Sequence, residues 1–191
     1  MIFLRVERMN LKNELEEKIW RLKNMDFDDE EFIKREQSDD LLFEAYDEQV
    51  KTKAIKQGEE LLELCESDNL GIRYLMIGLY TALEKFDKAE ELYNRYSDDS
   101  AFMLFPLSIM YYKNGVYRKC KRVLIEVQEG NEHLLNYLTG RKKFTKAKIE
   151  EIEYEDTYSW GSEAEAYLVV KDNKYLLGTV PTFIEFIERE I

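Results

Sequence analysis

Hydrophobic, aromatic and small residues recur through the middle of the chain at a constant step of 31 residues. The clearest column holds three small residues, Gly58, Ala89 and Cys120. Larger residues occupy parallel columns: Phe43, Tyr74 and Phe105; Ile55, Phe86 and Tyr117; Leu61, Leu92 and Val123; Leu62, Tyr93 and Leu124. A fixed step of about 20–50 residues is typical of stacked repeats, in which each unit buries its apolar face against the next.

Each repeat unit is predicted to fold as two antiparallel helices joined by a tight turn. The units cover residues 38–65, 69–97 and 100–128. The turn is clearest in the third unit, where Gly115 can take the left-handed conformation that ends a helix. Pro106 conflicts with a regular first helix in that unit, because proline removes one backbone hydrogen bond. That helix is expected either to start late, near Leu104, or to be kinked.

Helical patterns also flank the repeats. An amphipathic stripe predicts an N-terminal helix: Leu11, Leu15, Ile19 and Leu22. An acidic connector over residues 26–31 follows it. Beyond Gly130 the pattern predicts a short helix over 131–139 and a last helix opened by Pro181. Residues 165–180 allow two interpretations. The Ser162 cap favours a helix, and the alternative is a β-hairpin that turns at 172–173.

We therefore predict an all-α protein, a short solenoid of about three helix pairs with helical caps at both ends. The prediction is a single domain over 1–191. Within it, residues 1–37 form the N-terminal cap, 38–130 the repeats and 131–191 the C-terminal cap. Only two prolines and eight glycines in 191 residues leave little turn chemistry for a β-sandwich.

The repeat units resemble tetratricopeptide repeats. In the third unit, large, small and aromatic residues fall where that pattern requires them: Leu104, Leu107, Ser108, Tyr111, Gly115, Tyr117, Cys120, Leu124 and Val127. The step of 31 is shorter than the usual value of about 34. The resemblance implies that the first helix of each unit lines a concave groove. There we place Phe43, Asp47, Tyr74, Gly78, Phe105, Ile109 and Tyr112 as a candidate partner-binding groove, with core packing as the alternative for the aromatic residues.

A narrower resemblance covers most of residues 38–190. Four segments, 68–74, 86–89, 137–142 and 161–166, are similar to a family of small bacterial tetratricopeptide-like proteins. That family is distantly similar to the suppression-of-tumorigenicity protein family. The resemblance implies an all-helical fold with a C-terminal cap, no catalytic residues and an unassigned biochemical role.

Charge is distributed unevenly along the chain, whose net charge is −12. A basic band over residues 113–148 carries a local net charge of +7, whereas residues 149–191 carry −8. The candidate site residues of the band are Lys113, Arg118, Lys119, Lys121, Arg122, Arg141, Lys142 and Lys143, with Lys146 and Lys148 beyond them. The band either pairs internally with the acidic C-terminal segment or binds an anionic partner. The overall negative charge disfavours nucleic acid and an anionic membrane.

Signals of catalysis are weak. His133 is the one histidine, so a histidine-based metal site or a nucleophile–histidine pair is not expected. Cys65 and Cys120 are interpreted as small buried hydrophobic residues. We expect no cofactor, no metal and no catalytic residue. Neither a signal peptide nor a membrane span is readable, which predicts a cytoplasmic protein.

The function predicted from sequence is a noncatalytic adaptor or scaffold module that binds a protein or peptide in an aromatic-lined groove. Aromatic side chains suit this role because they bring a large contact area at low entropic cost. The alternative is a nucleic-acid- or nucleotide-associated regulator that uses the basic band. No membrane partner is expected, and the sequence leaves a homo-oligomer open.

Overall fold

A computed structural model describes residues 40–155 and 157–191, with side chains from residue 48 onward except 49 and 155. The predicted N-terminal helix and the acidic connector lie outside these residues. Contacts divide the chain into two compact units, Met1–Ser67 and Asp68–Ile191, which we call unit 1 and unit 2. Each is described by itself, and the single domain over 1–191 stays a prediction.

In unit 1 the described residues form one continuous helix, α1 (Asp40–Leu64). The prediction of a helix pair in the first repeat is therefore wrong. The reason lies at Lys53, which is one repeat step before Glu84 and two before Gly115. Its neighbours, Thr52 and Ala54, include no glycine, proline or asparagine, so nothing there favours a turn over a continued helix.

Unit 2 is helical wherever the structure describes it. Its helices are α2 (Ile72–Ala82), α3 (Phe86–Tyr96), α4 (Ala101–Lys113), α5 (Tyr117–Gly130), α6 (Glu132–Leu138), α7 (Lys146–Glu155), α8 (Glu163–Gly178) and α9 (Phe183–Glu190). The prediction of an all-α protein is confirmed for the described residues. Of the two interpretations of residues 165–180, the helix is correct. Ser162 caps α8, since its side chain accepts a hydrogen bond from the Glu165 N–H, and Glu163 and Glu165 favour a helix start.

Packing in unit 2 joins helices that follow each other along the chain and then brings the C-terminal part back. Helix α2 packs on α3 and α4, and α4 packs on α3 and α5. Helix α6 packs on α5, and α9 also packs on α5. Helix α8 returns to contact α2, α4 and α6. Nearly all of α4 is buried as a result, including Phe105 and Leu107 at 0% exposure.

The turns after α2 and α4 have the same geometry one repeat step apart. Glu84 takes φ 54° and Gly115 takes φ 71°. The Lys85 N–H donates to the Tyr80 carbonyl over 2.8 Å, and the Val116 N–H donates to the Tyr111 carbonyl over 2.9 Å. This is the left-handed helix ending expected at Gly115. In the second repeat, glutamate takes the same conformation at Glu84.

Pro106 lies within α4, which begins at Ala101, so the alternative of a late start near Leu104 is wrong. Proline lacks the N–H that would reach back to the previous turn, and the helix loses one hydrogen bond there. Two side chains bond to nearby carbonyls, Ser108 Oγ to that of Phe105 over 2.6 Å and Thr81 Oγ1 to that of Pro106 over 3.3 Å.

Gly78 marks the closest approach between α2 and α8. A Cβ at this position would lie 2.5 Å from the Tyr175 hydroxyl and 3.6 Å from Asn173 Oδ1. Since real Cβ atoms do not approach other atoms so closely, a larger residue at this position would force the Tyr175 side chain to move. The α8 residues Ala166, Val169 and Leu176 are fully buried.

We predict that Gly78→Ala lowers the free energy of unfolding by about 1–3 kcal/mol, because overpacking against α8 outweighs the gain in helix propensity. Chemical denaturation measures the change. Gly130→Ala is the matched control, since Gly130 is also helical and a Cβ there meets nothing within 4 Å. Tyr175→Phe should relieve part of the loss. Equal stability of the two alanine variants would contradict the packing of α8 on α2.

Candidate interaction surface

The predicted groove residues of unit 2 lie on one face of α2 and α4, and the chain's own C-terminal helices cover much of that face. Phe105 and Ile109 are fully buried, and Gly78 lies beneath α8. Tyr74 and Tyr112 are half-buried. The sequence placed residues 131–191 as a cap at one end, whereas α8 packs directly on α2 and α4. Phe43 and Asp47 lie on α1 among the residues whose side chains are not described.

Helix α9 covers the part of this face around Tyr112. The ring of Phe183 lies 5.0 Å from that of Tyr112 and 6.4 Å from that of Phe105, centroid to centroid. The Tyr112 hydroxyl is 2.8 Å from Thr182 Oγ1, and its ring is 5.1 Å from that of Phe186. Tyr112 therefore holds α9 in place, and its truncation would affect folding as well as any binding.

Beside Tyr74 the face continues into an exposed surface. The Tyr74 ring lies 5.6 Å from the Phe102 ring, which lies 5.4 Å from the Tyr158 ring. Tyr158 is 42% exposed, and Trp160, two residues further along the same loop, is 67% exposed. We call these four residues the outer aromatic surface. Tyr158 and Trp160 are the exposed members of this set, and tyrosine and tryptophan are residue types enriched in binding hot spots.

Buried hydrogen bonds hold the loop that carries Trp160. Glu165, 2% exposed, accepts from the Gly161 N–H over 2.7 Å and from Asn131 Nδ2 over 2.9 Å. Asn131 Nδ2 also donates to the Ser162 carbonyl over 3.0 Å. No pattern in the sequence indicates that Glu165 has this role. The loop is therefore fixed to both α6 and α8.

An ion-pair network positions Tyr74. Arg73 Nη1 lies 2.9 Å from Asp68 Oδ2, and Arg73 Nε lies 2.8 Å from Asp98 Oδ2. The Tyr74 hydroxyl donates to Asp98 Oδ2 over 2.8 Å, and Asp98 Oδ1 accepts from the Ser100 N–H over 2.9 Å. Asp68 also accepts from the first backbone N–H groups of α2. The network joins the two links that precede α2 and α4.

Two groups in this network have shifted pKa values. Burial alone would raise the pKa of Asp98, but hydrogen bonds from the Ser100 N–H, Arg73 and Tyr74 outweigh it and lower that pKa below its ordinary value of 3.8. Burial, followed by the hydrogen bond to Asp98, raises the pKa of Tyr74. Asp98 is thus charged and Tyr74 neutral at pH 7.

The charges around Tyr158 are mostly negative. Burial raises the pKa of Tyr158, and the charges of Glu165, Asp98 and Asp172 raise it further, against the opposing charge of Arg73. Arg73 is itself paired with two carboxylates, as described above. The outer aromatic surface therefore lies in a region of negative potential.

Most of the basic band lies in ion pairs within the described residues. Four of the pairs reach the acidic C-terminal segment: Lys121 to Glu190 at 3.2 Å, Lys142 to Glu163 at 2.5 Å, and the local pairs Lys146 to Glu150 and Lys148 to Glu151. The others are Lys113 with Glu84, Lys119 with Glu90, and Arg122 with Glu126. Arg118, Arg141 and Lys143 are exposed and make no ion pair with the part of the chain that is described. The pairing reduces the net charge that the band presents.

His133 lies next to the Lys142–Glu163 pair. Its Nδ1 atom is 3.4 Å from Lys142 Nζ and 3.9 Å from Glu163 Oε1. The Tyr137 hydroxyl donates to the same Glu163 oxygen over 3.1 Å. This cluster joins α6 to the start of α8. Within residues 40–155 and 157–191, no group of three or more histidine, cysteine or acidic side chains could hold a metal ion.

Comparison of the chain with protein-family models, curated proteins and solved structures finds no match. Among the helices that the structure describes, none combines the length and the apolar character needed to cross a bilayer.

We predict that Asp98→Asn lowers the free energy of unfolding at pH 7 by about 1–3 kcal/mol, because Arg73 loses a charged partner. Since folding lowers the pKa of Asp98, its stabilisation is present above the ordinary aspartate pKa and is lost as pH falls through the folded value. Denaturation from pH 7 to pH 2 should show a steeper loss in the wild type than in the variant. Parallel curves would contradict the assignment.

We predict that Lys119→Glu destabilises the protein by about 0.5–1 kcal/mol, whereas Arg118→Glu has little effect. Lys119 and the Tyr111 hydroxyl both donate to Glu90 Oε1, and these two bonds lower the Glu90 pKa. The two variants change the net charge equally, so their comparison isolates the ion pair. Added salt should weaken wild-type stability. An equal effect of both reversals would argue against internal pairing.

Proposed function

We propose that this chain is a noncatalytic protein-binding module whose α2–α3 and α4–α5 pairs form a short tetratricopeptide-like array. The packing of α2 on α4 and of each pair within itself supports this arrangement. The matching turns at Glu84 and Gly115 support it as well. Their spacing equals the 31-residue step of the sequence.

The α2–α4 face has the chemistry to accept a helix. It holds α8 through small and apolar contacts, and α9 adds Phe183 against Phe105 and Tyr112. Phe105 and Tyr112, which were first assigned to the groove, are therefore covered by other helices of the same chain. Tyr74 is the member of the set that borders the outer aromatic surface, and the proposed partner site moves there.

The observation that carries the proposal is the exposure of Trp160 and Tyr158 on a rigidly held loop. A loop whose backbone is fixed before binding loses little entropy when a partner arrives, so more of the contact energy appears as affinity. Exposed aromatic side chains on an anchored loop suit the binding of a protein partner and supply no catalytic group.

A nucleic-acid- or nucleotide-associated regulator is the second candidate. Arg118, Arg141 and Lys143 are the residues of the basic band that favour it. Phosphate binding gains its affinity from unneutralised lysine and arginine. Because the other members of the band pair with carboxylates, as described above, we prefer protein binding.

We predict that Trp160→Ala reduces partner affinity roughly 30-fold, equivalent to about 2 kcal/mol, with little change in melting temperature. The full-length chain would be used to capture partners from native cell extract. The dissociation constant of a captured partner would then be measured for each variant.

Tyr117→Ala is the matched control. Tyr117 is an exposed tyrosine at 54%. It lies at the start of α5, about 20 Å along that helix from Gly130, beside which the Trp160 loop packs. Partner capture that is unaffected by Trp160→Ala would exclude the outer aromatic surface as the site.

A further inference from the structure

The outer aromatic surface has a specific charge environment. Glu165, Asp98 and Asp172 all act on Tyr158, and the one positive charge of Arg73 is set against the two negative charges of Asp68 and Asp98. An anionic segment or membrane would be repelled here. A cationic partner would be attracted by these charges, whereas an uncharged apolar partner would gain nothing from them.

The end of α5 adds to the negative potential. The Gly130 carbonyl oxygen lies 3.0 Å from the position that a Cβ at Gly161 would occupy, so the Trp160 loop is packed on the C-terminus of this helix. A helix C-terminus carries partial negative charge from its unpaired carbonyl groups. The last turn of α5 contains no basic residue that would offset this charge. The N-terminus of α8, which follows Gly161 at Ser162, carries the opposite partial charge, and Glu163 and Glu165 in its first turn offset that positive charge.

Exposed aromatic rings in a negative potential are suited to cations. The face of an indole or phenol ring attracts a cation through its quadrupole, and tryptophan does so best. The same chemistry already occurs within the network, where the Arg73 guanidinium lies 4.3 Å from the centroid of the Tyr74 ring while bonded to Asp98. A second guanidinium could make the equivalent contact on Tyr158 or Trp160.

We propose that the outer aromatic surface binds an arginine-containing basic segment of a protein partner, with guanidinium groups stacked on Trp160 and Tyr158. This inference rests on the proposed function and specifies its partner. Arginine is preferred to lysine because its planar guanidinium stacks on aromatic rings and is more weakly hydrated. The surrounding carboxylates supply charge complementarity, which speeds association and excludes acidic competitors.

The probe is a short labelled peptide of alternating glycine and arginine, compared with glycine–lysine and glycine–glutamate peptides of equal length. The full-length Trp20→Phe chain leaves Trp160 as its one tryptophan, because the sequence contains two. Binding of the arginine peptide should change Trp160 emission and should be several-fold tighter than that of the lysine peptide. The glutamate peptide should not bind.

Three substitutions separate this site from general attraction to an acidic chain. For the Trp160→Ala variant, followed by the peptide label, affinity should fall about tenfold. Asp172→Asn should weaken binding several-fold, whereas Glu188→Gln, which makes the same charge change at an exposed position of α9, should have little effect. Melting temperatures should stay close to that of the parent.

Other results would overturn the inference. Equal affinity of the arginine and lysine peptides would exclude stacking, and equal effects of Asp172→Asn and Glu188→Gln would indicate bulk charge. Unchanged Trp160 emission would place binding elsewhere or show that another part of the chain covers the ring. If a native partner depends on Trp160 but the arginine peptide does not bind, the partner assignment fails while the proposed function stands. If neither depends on Trp160, both fail.

Discussion

The packing of α8 against α2 and α4 is the contact on which unit 2 depends. Helix α8 can approach α2 this closely because Gly78 leaves room for the Tyr175 hydroxyl. Once α8 is seated, its start fixes Glu165, and Glu165 fixes the Trp160 loop through Gly161 and Asn131. A missing side chain on α2 and a solvent-exposed tryptophan are thus linked through one helix.

Sequence periodicity predicts features that depend on local interactions. The turn at Gly115 follows from glycine's access to positive φ, and α8 begins where Ser162 caps it. Whether a helix ends or continues at a residue without a strong turn preference is harder to predict from sequence. Glu84 turns at φ 54° without glycine, while Lys53 at the equivalent position continues a helix. The difference reflects tertiary context that overrides weak propensities.

The candidate site was only partly predictable, for a physical reason. Helical spacing correctly puts Phe105 and Tyr112 on the same face of α4, but it cannot say what covers that face. An apolar stripe on a helix is equally suited to a partner and to another part of the same chain. Gly78 was the one sequence feature consistent with a closely packed neighbour on this face. In the structure that neighbour is the Tyr175 hydroxyl. Trp160 lay in a stretch without periodicity, so no pattern pointed to it.

The contacts of α6 and α8 also limit how this chain could grow. Repeat proteins lengthen by duplication of a unit, and a new pair must stack on the last one. Here α6 occupies the side of α5, and α8 contacts α6, α2 and α4 together. An additional pair inserted after α5 would separate α6 from α5 and move α8 away from Gly78. The C-terminal helices therefore block the addition of a further helix pair after α5.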